Sequence, residues 1–75
     1  MSGKQEIRVF TRSGAYLGTV ARHMRSSLWR ATGKAQPVWI GGSERPVEVM
    51  GRGANARLVV RLPDGAPLPK ELRRG

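Results

Sequence analysis

A chain of 75 residues has room for one small domain, and this one has no cysteine for disulfide or thiolate chemistry and one histidine, His23, too few for a multi-histidine metal site. Fourteen Lys and Arg against five Asp and Glu give a net charge of +9, and eleven of the fourteen are Arg. No apolar run is long enough to cross a bilayer, and Lys4 is followed by no apolar stretch of signal-peptide length, so a cytoplasmic protein is expected.

In chain order, residues 1–5 are expected to form a flexible N-terminus. Residues 7–11 (IRVFT) and 16–20 (YLGTV) are rich in β-formers and flank Arg12-Ser13-Gly14-Ala15. That pattern predicts a hairpin with Gly14 in a left-handed turn position. With Thr11 opposite Ala15, Val9 faces Leu17 and Phe10 faces Tyr16. Ile7, Val9 and Leu17 then point to the core, while Arg8, Phe10, Tyr16 and Val20 point away. A slip of one residue exchanges the two sets.

The period changes in residues 21–32. Met24, Leu28 and Ala31 fall at i, i+4 and i+7, which predicts a helix near residues 22–32. Gly33 is its expected stop, Lys34 lies just past the negative end of its dipole, and Pro37 excludes further helix. Its start has no good cap. Arg22, Arg25 and Arg30 are expected on its polar side; Trp29, beside them and next to Leu28, is expected to join the core, with base stacking as the alternative.

Residues 38–40 and 47–50 read as short strands of a second hairpin around the loop 41–46, with Trp39 pointing away from the face of Val38 and Ile40. Residues 51–56 form a turn. Residues 57–62 (RLVVRL) are the clearest strand, with Leu58, Val60 and Leu62 inward and Arg57, Val59 and Arg61 outward. Residues 64–75 have little to bury and are expected to be a flexible tail, leaving residues 6–63 as a single small basic domain. The order ββαβββ predicts a mostly β (α+β) fold, a small bent sheet or partly open barrel of about five short strands with one helix closing an end. Residues 14–20, Gly-Ala-Tyr-Leu-Gly-Thr-Val, resemble the G-x-x-x-G-x-V core of the KOW segment in SH3-like barrels of translation and transcription factors. That resemblance covers about seven residues and implies nothing beyond a small barrel.

Catalysis has little to work with. Glu6, Asp64 and Glu71 lie near the ends of the chain, Glu44 and Glu48 flank one loop, and His23 has only Ser26 and Ser27 close in sequence. Gly41-Gly42-Ser43 and Gly51-Arg52-Gly53 lack the lysine and helix start of a phosphate-binding P-loop. A non-enzyme without cofactor or metal is therefore expected.

Charge points elsewhere. Residues 7–62 alone hold ten basic side chains and two acidic ones, so the body of the protein repels itself unless a polyanion compensates it. Guanidinium groups suit that partner, since they grip phosphate with a planar donor fork and stack on bases. The expected function is a small nucleic-acid-binding module for DNA or RNA. Arg22, Arg25 and Arg30 with Trp29 are the favoured contacts, and Arg8, Arg12, Trp39, Arg52, Arg57 and Arg61 complete the candidates. Phe10 and Tyr16, beside Arg8 and Arg12, offer a second aromatic surface. The alternative is a protein-interaction module, a regulator or inhibitor docking a basic, Trp-bearing face on an acidic protein. A membrane role is not expected, and the oligomeric state is open, with a dimer compatible.

Overall fold

A computed structural model describes residues 3–74. In chain order the elements are β1 (Gly3–Thr11), β2 (Tyr16–Met24), α1 (Ser26–Thr32), β3 (Val38–Ile40), β4 (Ser43–Arg45), β5 (Glu48–Met50), a 3-10 turn (Gly53–Asn55) and β6 (Arg57–Leu62). Four strands form a mixed sheet in the order β2-β1-β6-β5, and β3 with β4 forms a two-stranded sheet. The fold is mostly strand with one α-helix among the described residues, in the expected order, and the sheets do not close into a barrel. The additional strand, β4, lies in the segment expected to be a hairpin loop.

The first hairpin has the expected Phe10–Tyr16 pair, but the register shifts between Val9 and Phe10. Leu17 is the extra residue of a β-bulge, so Val9 pairs with Gly18 and Ile7 with Val20. One inserted residue reverses inside and outside for the rest of the strand. Val20, expected outward, is consequently fully buried, and Leu17 only packs against the core's edge.

The hairpin is also longer than the sequence suggests. Lys4 pairs with His23 and Gln5 with Arg22, so residues 3–5 are strand rather than a loose end. Residues 21–24, expected to be helical, continue β2. The physical reason lies at the helix start: Arg25, in an extended conformation at the N-cap, makes no side-chain capping bond. The ladder instead satisfies the backbone groups of this stretch. The helix is left with two turns, ended as expected by left-handed Gly33, whose N–H reaches the Trp29 carbonyl at 2.9 Å. Its buried residue is Trp29, while Leu28 and Ala31 of the predicted apolar stripe are exposed.

The second expected hairpin re-pairs. β3 turns back on β4, with Trp39 opposite Glu44, and β5 adds to β6 instead, with Val49 opposite Leu58. Residues 64–74, expected to be loose, fold back on the domain, and Glu71 to Arg73 meet β2. Pro69 is buried, Leu72 packs against the core, and Thr19 and Arg73 exchange two backbone hydrogen bonds of 2.8 Å. Gly18 is required here: its φ is +148° and a Cβ would collide with the Arg73 carbonyl oxygen. The tail thus occupies part of the edge of β2 that would otherwise expose unpaired backbone groups.

The core forms on the inner face of the four-stranded sheet. Ile7, Val9 and Val20 from the hairpin and Leu58, Val60 and Leu62 from β6 meet Trp29, Val38 and Ile40. No helix among the described residues is long and apolar enough to cross a membrane.

Candidate nucleic-acid interface

The parallel pairing of β1 with β6 builds a surface on the outer face of the sheet. Its register sets Arg8 beside Val59 and Phe10 beside Arg61. On the other side of β6, Glu48 faces Val59 and Met50 faces Arg57. Because strand side chains alternate, Arg57, Val59 and Arg61 share this face with Arg8 and Phe10 of β1 and Glu48 and Met50 of β5. Val59 is therefore a floor ringed by Arg57 and Arg61 along its own strand and by Arg8 and Glu48 across it. It was expected outward and does point that way, yet it is only 6% exposed. The aliphatic stems of neighbouring arginines cover such a residue while their heads stay in water. The result is an open hollow of about 330 Å³ bounded by Arg8, Phe10, Met50, Arg57 and Arg61 over Val59.

One aromatic ring, Phe10, borders it, and a second packs on that ring from outside. Phe10 and Tyr16 have ring centroids 5.4 Å apart at an interplanar angle of 58°. Tyr16 remains half exposed. This tilted pair is the product of the bulge, which keeps both rings on the outer face while Val20 turns inward.

The charge on this face is only partly compensated. Arg61 Nε donates to Glu48 Oε2 at 3.0 Å, with both side chains about half exposed. Glu6 is the other outward acid of the strand. Among the described residues, Arg8, Arg12 and Arg57 have no carboxylate within ion-pair distance. Arg57 is oriented by its own turn, donating through Nη1 to the Ala56 carbonyl at 3.0 Å. Arg30 donates to the Gly53 carbonyl at 2.9 Å and lies 4.6 Å from the centroid of the Trp29 ring. A second hollow, of about 260 Å³ where β1 and β6 begin, is bordered by Arg8, Arg30 and Arg57 and so adjoins the first at the Arg8–Arg57 pair.

The favoured helical cluster is not assembled. Arg22 belongs to β2, Arg25 stands exposed at the N-cap, and only Arg30 lies within α1. Trp29 is 3% exposed and takes the expected core place rather than the alternative one of a stacking ring. A hollow of about 370 Å³ between the end of β2, α1 and Val38 contains Arg25 as its only arginine, so the charge does not gather there. Arg52 is exposed before the 3-10 turn, apart from the hollow over Val59.

Arg22 is engaged on the inner side. It donates to the Trp39 carbonyl at 2.8 and 3.2 Å, to the Ala21 carbonyl at 2.8 Å and to Glu71 Oε2 at 3.0 Å. Glu71 Oε1 also accepts the Gly41 N–H at 3.0 Å. Its own backbone N–H, the Gly41 N–H and Arg22 together hold the Glu71 carboxyl below the usual carboxylate range, against the opposing effect of burial. Trp39 is 62% exposed, as its alternation implied, but its carbonyl is held by the matched Arg22 and it lies opposite Glu44.

Met50 is the site residue that the sequence reading missed. Its place depends on β5 pairing with β6, and no local feature distinguishes that from pairing with β3. Compared with protein families, curated proteins and solved structures, the chain matches none.

Proposed function

We propose that the chain is a small, non-enzymatic nucleic-acid-binding module of the cytoplasm that sets the outer face of its sheet against a phosphate backbone. Arg8, Arg57 and Arg61 are its contacts, with Arg12 at the adjoining turn. One observation carries the reading: arginines from two paired strands converge on one face, and the nearby acids Glu6 and Glu48 do not balance them. Bringing such a face to a polyanion removes self-repulsion and releases condensed counterions. The set Arg22, Arg25 and Arg30 is the weaker choice because only Arg30 lies within α1 and Arg22, in β2, is already bound to Glu71 and the Trp39 carbonyl.

A salt series against labelled oligonucleotides tests this. Three or four phosphates neutralised correspond to a log–log slope of about −2 to −4. Replacing Arg8, Arg57 and Arg61 with Ala should weaken binding to all sequences and flatten the slope by about one unit per residue.

A second reading draws on the same face. An apolar centre of Phe10, Met50 and Val59 inside a basic rim is also the anatomy of a protein interface. On that reading the chain docks on an acidic protein, with one stoichiometric partner and a negligible salt slope against every nucleic acid.

A further inference from the structure

The floor of the basic face is apolar, and that bears on which form of nucleic acid it takes. A duplex presents phosphates and sugars on its outside and keeps its ring faces stacked within. Against a duplex the arginines would find phosphates, but Phe10, Tyr16, Met50 and Val59 would find nothing apolar. An unpaired base offers two ring faces that leave water on stacking, which is why single-strand binders combine a basic groove with aromatic platforms.

The arrangement here meets both requirements within a few residues. Arg57 and Arg61, four residues apart on β6, are about 13 Å apart along the strand. Arg8 lies beside the midpoint between them, at Val59. A flat group on Val59 would thus have a guanidinium on three sides and the Phe10 ring at its edge. Tyr16, half exposed next to Phe10, extends the aromatic surface beyond the hollow. The second hollow, which Glu6 also lines, carries the run of arginines on past Arg8 and Arg57 to Arg30. A second copy of the chain is a poor occupant, since it would set these arginines against themselves.

We propose that this face binds single-stranded nucleic acid, seating one unpaired base in the hollow over Val59 against Phe10, with Tyr16 offering a ring face to the next base. The flanking phosphates lie on Arg57 at one end and on Arg61 and Arg12 at the other, with Arg8 between them. This rests on the nucleic-acid reading above and narrows it. The stacking surface is indifferent to base identity, so little sequence preference is expected.

The test is fluorescence anisotropy with the full chain, labelled oligothymidylate, and a labelled DNA hairpin of equal phosphate count, at two salt concentrations. The single strand should bind about tenfold more tightly than the hairpin. Tyr16→Ala and Phe10→Leu should remove most of that preference while the far-UV circular dichroism stays unchanged. Tyr16 is half exposed, so its removal keeps the test valid if Phe10→Leu unfolds the chain. Equal or tighter hairpin binding that is lost in Arg8→Ala but unmoved by Tyr16→Ala overturns the single-strand proposal and leaves the nucleic-acid reading standing. No binding to either probe at low salt overturns both. Self-association abolished by Met50→Glu would instead assign the face to a second copy.

Discussion

Arg8 and Arg22 lie on adjacent strands of one hairpin, on opposite faces of the sheet. Arg22, half-buried at the inner rim, has three hydrogen bonds that tie β2 to β3 and to the C-terminal tail and a fourth to its neighbour Ala21, and its charge is matched by Glu71. Arg8, on the outer face, is exposed beside Val59 without a carboxylate partner among the described residues. Net charge does not separate these two roles. An arginine already paired and desolvated acts as a structural clamp, and removing it leaves its partners unsatisfied. An arginine held by a rigid strand but unpaired is available to a ligand. Trp39 follows the same logic, for it is exposed, yet its carbonyl is held by the neutralised Arg22 and it faces Glu44.

The contrast is most open to failure at β6, where successive residues serve opposite faces. Leu58, 1% exposed on the inner face, should cost about 2–5 kcal/mol when truncated to Ala, enough to unfold much of so small a domain. Its neighbours Arg57 and Arg61, replaced together with Arg8, should change stability by less than about 1 kcal/mol while removing nucleic-acid binding. Urea denaturation of both variants decides it. A large stability loss in the arginine variant would mean that the outer face is structural as well.

Much of this was legible in the sequence because it depends on short-range pattern. Leu58, Val60 and Leu62 alternate cleanly, Gly33 ends the helix, and Phe10 pairs with Tyr16. The bulge at Leu17 was not legible, since it is stabilised by the tail lying against Gly18, more than fifty residues later in the chain. Nor was the helix's buried side: the Met24–Leu28–Ala31 stripe does not survive in a two-turn helix, and which side such a helix buries depends on the sheet beneath it. All the candidate arginines were identifiable by type. Their sorting into clamp and contact required the parallel β1–β6 pair, a long-range contact without a local signature.

Two smaller effects belong to the inner side. Gly18→Ala forces the Arg73 carbonyl away or distorts the bulge, and should cost more than about 1 kcal/mol. Hydrogen exchange should then show loss of protection at the Thr19 and Arg73 amides, which bond to each other's carbonyls. Arg22→Ala should cost about 1 kcal/mol, less than a fully buried charged pair because both side chains are near one-third exposed. Glu71 adds a pH signature. Its folded pKa is depressed, so its stabilisation is complete above its unfolded pKa and is lost as pH falls through the folded value. The melting temperature should therefore fall below the usual carboxylate range, and the Glu71→Gln variant should lack that part of the acid limb.

The smallest change in stability and the most telling change in binding come from one residue of the outer face. Glu48 forms an exposed pair with Arg61, and pairs of this kind contribute about 0–1 kcal/mol. Glu48→Gln should move the denaturation midpoint barely at all. It removes a negative charge from the hollow's rim and frees the Arg61 guanidinium, so affinity for a single strand should rise. The salt slope should steepen by about 0.7, the contribution of one further phosphate. The same substitution at Glu71 frees Arg22 on the other face, and there no gain in affinity is expected because Arg22 is not a contact. A rise with Glu71→Gln and none with Glu48→Gln would move the binding surface to the side of β3 and the tail, where Trp39 would become its exposed ring.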